Sequence, residues 1–506
     1  MRHIAFGCFS LLLAATTVQA AWLEASSDHF VIYGDQSEVA ARKFAERLER
    51  FHAAMAYVYG KPETKPGPSN RVTVFVVPST AKVRKVTGAR NSYLAGFYLP
   101  RAGSSVALVP RLRGGAKDEL TGEKVLYHQY AHHFMQATLT TRAYPRWLTE
   151  GFAEFFGGVQ FKADGTVVLG APAHHRGAEL AYAREVPIRT LLSFDGGASD
   201  KKPGYSSFYG QSWVLFHYLQ MGGERAGEFA KYRQLLATGH SALAAAESAF
   251  GDLDELENDM DAYVKRRKIT AFVIPEARLT IGAIALRTLR PGEAAMMPIM
   301  MESRVGVSRK EALELVPEAR KVAALHPGDP TVLAALAEAE FDAGNDDAAI
   351  AAADRAVAID PQQINAHIQK GYALARKVES GALPVGSWND VRLQFVKANA
   401  VENDHPVPLV QFYLTYMKQG ERPTKNAIAG LEWAMQLAPF DGSVRWLVAQ
   451  QMVADERFAD ALQTLGPLAY SPHSGEKTDA ALRLLKDVEA RLQQDKEQSP
   501  DSIKVE

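Results

Sequence analysis

The chain has 506 residues, enough for about three domains at roughly 150 residues each. Hydrophobic residues make up 47% of it and charged residues 23%, a composition typical of globular proteins that excludes disordered and collagen-like classes. The 57 basic and 58 acidic residues give a formal net charge of -1, so no bulk field favours nucleic acid or an anionic membrane surface. We therefore expect no nucleic-acid partner.

The first twenty residues have the features of a secretory signal peptide. Arg2 and His3 precede an apolar stretch over 4–15, and Val18-Gln19-Ala20 supplies a small-x-small ending. The alternative is a short buried helix. We expect 1–20 to be removed and the protein to be secreted or periplasmic.

The cysteine content and the hydropathy of the sequence limit which metal ligands and which membrane segments can be predicted. Cys8 is the only cysteine and lies within the predicted signal peptide, so any metal site in the mature chain must use His, Asp and Glu. No later stretch reaches 18 uninterrupted apolar residues, and the sequence therefore predicts no transmembrane segment.

The N-terminal half begins with strand patterns and continues with helical ones. Runs of β-branched and aromatic residues predict strands at 28–33 and 71–77, and the 3.6-residue period of 38–59 predicts an amphipathic helix between them. Two further strands, 94–99 and 104–110, are expected to form a hairpin. Helices are then predicted at 119–138, 145–157 and 207–221 and within 224–268. This order indicates an α+β domain.

Prolines recur in the C-terminal part with gaps of 34, 45, 33 and 33 residues, at Pro327, Pro361, Pro406, Pro439 and Pro472. A period of 34 residues is typical of helix-pair repeats. The unit 329–361 has small residues at Ala337, Ala349 and Ala356, where paired helices would cross, and Gly344-Asn345 at the turn. It resembles a tetratricopeptide repeat, and about eleven extra residues near 380–388 account for the long gap.

We therefore expect an all-α tetratricopeptide-like solenoid over 307–495, after a linker at 271–306 and before a disordered tail at 496–506. Such solenoids commonly bind a peptide or protein on their concave face. Two alternatives stay open: an irregular helical bundle, and repeats that only pack on the N-terminal domain.

The candidate metal-ligating residues lie on two predicted helices. His128 and His132 are four residues apart, so their imidazoles project from one helix face and can hold a single ion. The next helix places Glu150 18 residues beyond His132, with Glu154 one turn further on. Two His on one helix and one Glu on an antiparallel neighbour make a three-ligand zinc site with an open position.

These motifs, His128-Gln-Tyr-Ala-His132 and Trp147-Leu-Thr-Glu150-Gly-Phe-Ala, resemble the active site of gluzincin metallopeptidases, in particular the peptidase-MA-like group. The resemblance covers roughly residues 22 to 270 and implies a zincin-like α+β domain over 21–270. It also implies that His128, His132 and Glu150 are zinc ligands. The strand at 104–110 would then be an edge strand beside the cleft, against which extended substrate lies.

The resemblance implies less for the neighbouring residues. Glu154 is either a hydrogen-bond acceptor for a ligand or an ordinary helix carboxylate, and His133 is expected to be structural. Tyr209, in the segment Phe208-Tyr-Gly-Gln-Ser-Trp213, either donates a hydrogen bond to an oxyanion or packs in the core.

The sequence departs from the family at Gln129, where these enzymes have Glu. That Glu takes a proton from zinc-bound water, whereas a carboxamide only forms hydrogen bonds at neutral pH. Three hypotheses follow. The protein is a weak or inactive peptidase that binds peptides or proteins; or it is an active zinc peptidase in which another base, such as Glu154, substitutes; or it is a tetratricopeptide adaptor with a structural N-terminal domain.

Overall fold

The computed structural model describes residues 22–62, 64–89, 94–111, 120–139, 142–195, 206–471 and 476–498. The predicted signal peptide at 1–20 lies outside the described residues, and so does 499–506 of the predicted tail. The last helix continues to Gln498, so the first residues of that tail are helical. No helix in the described ranges is both long and apolar enough to cross a membrane.

The strands of the described chain form two sheets. They are β1 (Leu23–Ser26), β2 (Phe30–Gly34), β3 (Val72–Val77), β4 (Phe97–Leu99), β5 (Val106–Pro110), β6 (Gln160–Phe161), β7 (Val167–Leu169), β8 (Phe272–Ile274) and β9 (Ala285–Thr288). The larger sheet has the order β4-β5-β3-β2-β1-β9, and the smaller has β6-β7-β8. Within the larger sheet β2, β3 and β5 run parallel, while β1, β4 and β9 pair antiparallel with their neighbours. The predicted hairpin is present as the β4-β5 pair.

The prediction that 104–110 forms the edge strand is wrong. β5 pairs with β3 on one side and with β4 on the other, so β4 is the edge strand at that end. Four consecutive residues of β5, from Val106 to Val109, are at most 1% exposed. A strand buried on both faces suits the interior of a sheet, which explains why β5 lies there.

The segment 271–306, for which we predict a linker, is part of the folded N-terminal domain and the first helix of the repeats. It contains β8 and β9, and β9 completes the larger sheet by pairing with β1 from Leu23↔Thr288 to Ser26↔Ala285. Helix formation then begins at Pro291. β9 has no strong local strand pattern, because only one of its four residues is even partly buried, and its partner lies at the other end of the domain.

The helices of the N-terminal domain lie beside these sheets. They are α1 (Glu38–Val58), α2 (Thr80–Thr87), α3 (Gly122–Phe134), α4 (Arg146–Gly157), α5 (Gly177–Tyr182), α6 (Ile188–Leu191), α7 (Phe208–Met221), α8 (Glu228–Ala237), α9 (Ala242–Phe250) and α10 (Leu253–Val264). Two glycines allow α4 to approach its neighbours closely. A Cβ at Gly157 would lie 3.2 Å from the Cα of His128 in α3, and one at Gly151 would lie 2.4 Å from the backbone oxygen of Ser212 in α7.

The C-terminal part is an all-α repeat region, called the helical repeats below. Its helices are α11 (Pro291–Val305), α12 (Arg309–Leu325), α13 (Pro330–Asp342), α14 (Asp346–Ile359), α15 (Ile364–Glu379), α16 (Trp388–Val401), α17 (Pro406–Gln419), α18 (Lys425–Leu437), α19 (Gly442–Ala454), α20 (Phe458–Ala469) and α21 (Glu476–Gln498). The hairpin of α13 and α14 turns at Gly344, whose φ is +80°. Ala337, Ala349 and Ala356 are fully buried, as expected where paired helices cross.

The helical repeats pack against the N-terminal domain. The backbone N–H of Ala102, between β4 and β5, donates to Oδ2 of Asp441 at 2.7 Å. The hydroxyl of Ser69 donates to Oε1 of Glu402 at 2.8 Å. The helical repeats therefore contact the N-terminal domain, while binding of a separate partner stays a prediction.

Candidate metal centre

Two adjacent helices bring the three predicted ligands together. The hydroxyl of Thr121 caps α3, which presents His128 and His132 one turn apart, and α4 presents Glu150 opposite them. Oε2 of Glu150 lies 3.4 Å from Nε2 of each histidine, and the two Nε2 atoms are 3.2 Å apart. One ligand atom from each residue lies within 4.8 Å of the others, which makes this the group of described residues that could hold a metal ion.

The burial of the Glu150 carboxylate is compatible with a cation bound between Glu150, His128 and His132. The Glu150 side chain is 0% exposed, and its ion-pair contacts among the described residues are with His128 and His132. Burial raises the pKa of Glu150, but the adjacent His132 and His128 outweigh it and hold the pKa below its usual range. A buried carboxylate is costly unless it is paired or coordinates a metal, and two imidazoles with one carboxylate form a donor set that suits zinc.

Glu154 lies behind His128 and accepts from it. Oε1 of Glu154 is 3.1 Å from Nδ1 of His128, and Oε2 is 2.9 Å from Nε2 of His175. Arg176 also forms an ion pair with this carboxylate. Burial lowers the pKa of His128, but the charges of Glu154 and Glu150 outweigh it and raise the pKa to about 9. Of the two roles left open for Glu154, its position fits the hydrogen-bond acceptor, a role that orients metal-ligating histidines.

Sequence reasoning missed His175 and Arg176. The available signal was the run His174-His175-Arg176, which lies after β7, with His175 21 residues beyond Glu154. Nothing local to that run indicates that it meets α4, because the contact depends on how the domain folds.

Gln129 faces a cavity of about 430 Å³ beside the metal-ligand group. Tyr98 and Pro100 contribute one wall from the edge strand β4 and the loop after it. Another part of the lining comes from the helical repeats and includes Phe440 and Arg445. The sequence predicted a cleft at this point but not that the repeats form one side of it.

His133 lines the same cavity as Gln129 and His132, but it is not one of the three grouped ligands. Its Nδ1 is 2.8 Å from the hydroxyl of Tyr98, and its ring lies 4.0 Å from that of Phe440. Burial lowers its pKa to about 3, so the ring is neutral. These contacts agree with the expectation that His133 is structural.

Tyr209 lies on the Glu150 side of the site and is half-buried. Its hydroxyl accepts from Nη2 of Arg146 at 3.4 Å, and the guanidinium of Arg176 stands 4.7 Å from its ring centre. Burial raises the pKa of Tyr209, and the nearby charge of Glu150 raises it further, so the hydroxyl keeps its proton at neutral pH. This placement is compatible with a hydrogen-bond donor at the site as well as with packing.

The arrangement brings together three residues that could hold a metal ion, without a positioned general base. Gln129 cannot take a proton at neutral pH. The carboxylate of Glu154 is 1% exposed and is already held by His128, His175 and Arg176, so it is poorly placed to replace the missing base. The hypothesis that Glu154 substitutes as the base therefore loses its main support.

Comparison with known proteins finds no matching family model and no match among curated proteins. Among solved structures, the chain is similar to a thermophilic TPR protein of Thermus thermophilus, at 19% identity over 38% of this chain and 98% of that chain, with a TM-score of 0.33. MamA matches at 17% identity over 36% and 97%, with a TM-score of 0.28. Pseudomonas aeruginosa pilF matches at 15% over 42% and 96%, with a TM-score of 0.31. With TM-scores this low, nothing about the function of this chain follows from them.

Proposed function

We propose that the protein is a secreted, zinc-binding protein of the gluzincin metallopeptidase type, with a cleft that binds peptides and little or no peptidase activity. The observation that supports it most is Glu150, a fully buried carboxylate that lies 3.4 Å from Nε2 of both His128 and His132, so that three ligand atoms stand within 4.8 Å of one another. A zinc ion held by these three residues would compensate the buried charge.

The zinc would supply Lewis-acid polarisation of a carbonyl and a bound water of lowered pKa. The other residues act around it. Glu154 accepts from Nδ1 of His128 and so fixes which ring nitrogen faces the ion. The Tyr209 hydroxyl, which keeps its proton, would donate a hydrogen bond to an oxygen that gains negative charge. Gln129 offers a hydrogen bond but no base, and losing a positioned base typically costs about 10²- to 10⁴-fold in rate.

Peptide binding is supported by the free side of β4. This strand pairs only with β5 in the described sheet, and Tyr98 of β4 lines the cavity next to Gln129. An extended peptide can add to such an edge through main-chain hydrogen bonds. β4 therefore takes the role that we had assigned to 104–110.

A second candidate function is an adaptor role for the helical repeats. Leu393 and Val396, one turn apart on α16, are 46% and 50% exposed. Exposed apolar neighbours of this kind are compatible with a protein partner. If Leu393→Glu no longer binds a protein partner that the native chain binds, and its zinc content is unchanged, the adaptor function is favoured over the first.

The experiment compares the unmodified protein with Gln129→Glu and with Gln129→Ala at equal zinc occupancy, using a broad peptide library. Glu and Gln are nearly isosteric, so Gln129→Glu restores a base and should raise cleavage by about 10²-fold or more, while Gln129→Ala should not. Robust zinc-dependent cleavage by the unmodified protein would overturn the proposal of a weak or inactive peptidase.

A further inference from the structure

The wall that the helical repeats contribute to the cavity contains a buried arginine. Arg445, on α19, is 4% exposed, and it lines the same cavity as Gln129 and His132. Its Nη2 donates to the backbone oxygen of Pro439 at 2.7 Å, and its Nη1 to that of Thr464 at 3.3 Å. Both acceptors are neutral carbonyls.

No carboxylate among the described residues forms an ion pair with Arg445. The nearest acid in the chain, Asp441, uses Oδ2 for the N–H of Ala102 and Oδ1 for the N–H groups of Ser443 and Val444. Arg376, by contrast, is an arginine of the repeats that pairs with a carboxylate, that of Asp346.

A buried cation without an anionic partner is costly for the fold. Burial lowers the pKa of Arg445 to about 10, which still leaves the guanidinium charged at neutral pH. A guanidinium that stays charged in a cavity wall, although its burial costs free energy, is typical of a group that binds an anion from outside the chain. Guanidinium is well suited to that task, because its planar set of N–H donors matches a carboxylate.

We propose that Arg445 binds a carboxylate of the peptide that occupies the cavity, either the C-terminal carboxylate or an acidic side chain. The proposal deepens the proposed function and rests on it only in taking the ligand to be a peptide. The helical repeats then act as part of the binding cleft of the N-terminal domain, because Arg445 lines the same cavity as Tyr98 of the edge strand β4.

The test measures retention of three hexapeptide libraries on the immobilised full-length protein by mass spectrometry. The first library has free C-terminal carboxylates and no Asp or Glu, the second is the same with C-terminal carboxamides, and the third is amidated with one Glu. A hydrogen-bonded ionic contact in a buried site predicts about tenfold or greater preference for a carboxylate library over the plain amide.

Arg445→Met should abolish that preference, and Arg445→Lys, which keeps the charge but not the planar donors, should reduce it several-fold. Arg422→Met is the matched control, because Arg422 also lies in the helical repeats but its side chain is 84% exposed. Preference for the first library identifies a C-terminal carboxylate, and preference for the third identifies an acidic side chain. Equal retention of all three by the native protein overturns the proposal.

A preference that persists in Arg445→Met overturns it too. Should that variant fail to fold, Arg445→Lys carries the test, and an unchanged preference there is the overturning result. The libraries are run on zinc-loaded and zinc-free protein. An Arg445-dependent preference without zinc uptake supports the carboxylate site and refutes the metal centre, whereas zinc uptake without any preference refutes the carboxylate site alone.

Discussion

Replacing Asp441 by asparagine should loosen the contact between the helical repeats and the β4-β5 loop without removing a helix cap. Oδ2 of Asp441 accepts from the N–H of Ala102 at 2.7 Å, while Oδ1 accepts from Ser443 and Val444 and caps α19. Asparagine keeps one oxygen for the cap. Its amide nitrogen then faces the N–H of Ala102, so that two donors oppose each other.

The size of the destabilisation follows from the burial of the Ala102 N–H. Ala102 is 9% exposed, and leaving a buried N–H without an acceptor costs about 1–3 kcal/mol. A loss of about 2 kcal/mol corresponds to roughly 30-fold faster opening. We expect hydrogen exchange at the Ala102 amide to accelerate by that factor in Asp441→Asn, measured on peptides that cover 97–106. Asp441→Ala also loses the cap, which adds about 1 kcal/mol to the destabilisation.

The control is Thr424→Ala, which removes the cap of α18 by deleting the hydroxyl that accepts from the N–H of Ala427. It should lower stability by about 1 kcal/mol and leave exchange at Ala102 unchanged. Exchange in Asp441→Asn that is no faster than in the native protein would refute the reasoning, because the repeats would then not be held by this bond.

Two further substitutions probe packing and pH dependence. Gly151→Ala places a Cβ 2.4 Å from the backbone oxygen of Ser212, so we expect a loss of about 1–3 kcal/mol in urea unfolding; native stability would contradict the close approach of α4 and α7. His405 is buried, which lowers its pKa from the ordinary 6.5 to about 4, and its Nδ1 accepts from the N–H of Val407. Because the unfolded chain binds the proton first, stability should fall by about 3 kcal/mol as the pH drops from 6.5 towards 4. In His405→Asn the free energy of unfolding should depend less on pH in this range. An unchanged dependence would show that other groups cause the loss of stability.

The N-terminal strands and helices were predictable where the signal is local. The periodicity of 38–59 predicted α1, and the i, i+4 spacing of His128 and His132 predicted that they share a face. The pairing of β9 with β1 was not predictable, because it joins segments about 260 residues apart and β9 is short and largely exposed.

Contacts between distant parts of the chain explain what sequence reasoning missed at the site. His175 and Arg176 reach Glu154 only through the fold of the domain, and Arg445 reaches the cavity only because the helical repeats pack beside α3. The resemblance implies an edge position for 104–110, which is wrong because β4, a short strand of three residues, pairs with the other side of β5.

Zinc content of the purified full-length protein tests the account most directly. After zinc loading and dialysis we expect about one equivalent per chain, lost in His132→Ala and Glu150→Gln and weakened by about 10- to 100-fold in Glu154→Gln. Glu179→Gln is the control, because Glu179 is also a buried carboxylate of this region but accepts from Gly210 and Arg176 rather than from a histidine ligand. Absence of zinc from the folded native protein, or equal zinc in all of these variants, would contradict the account.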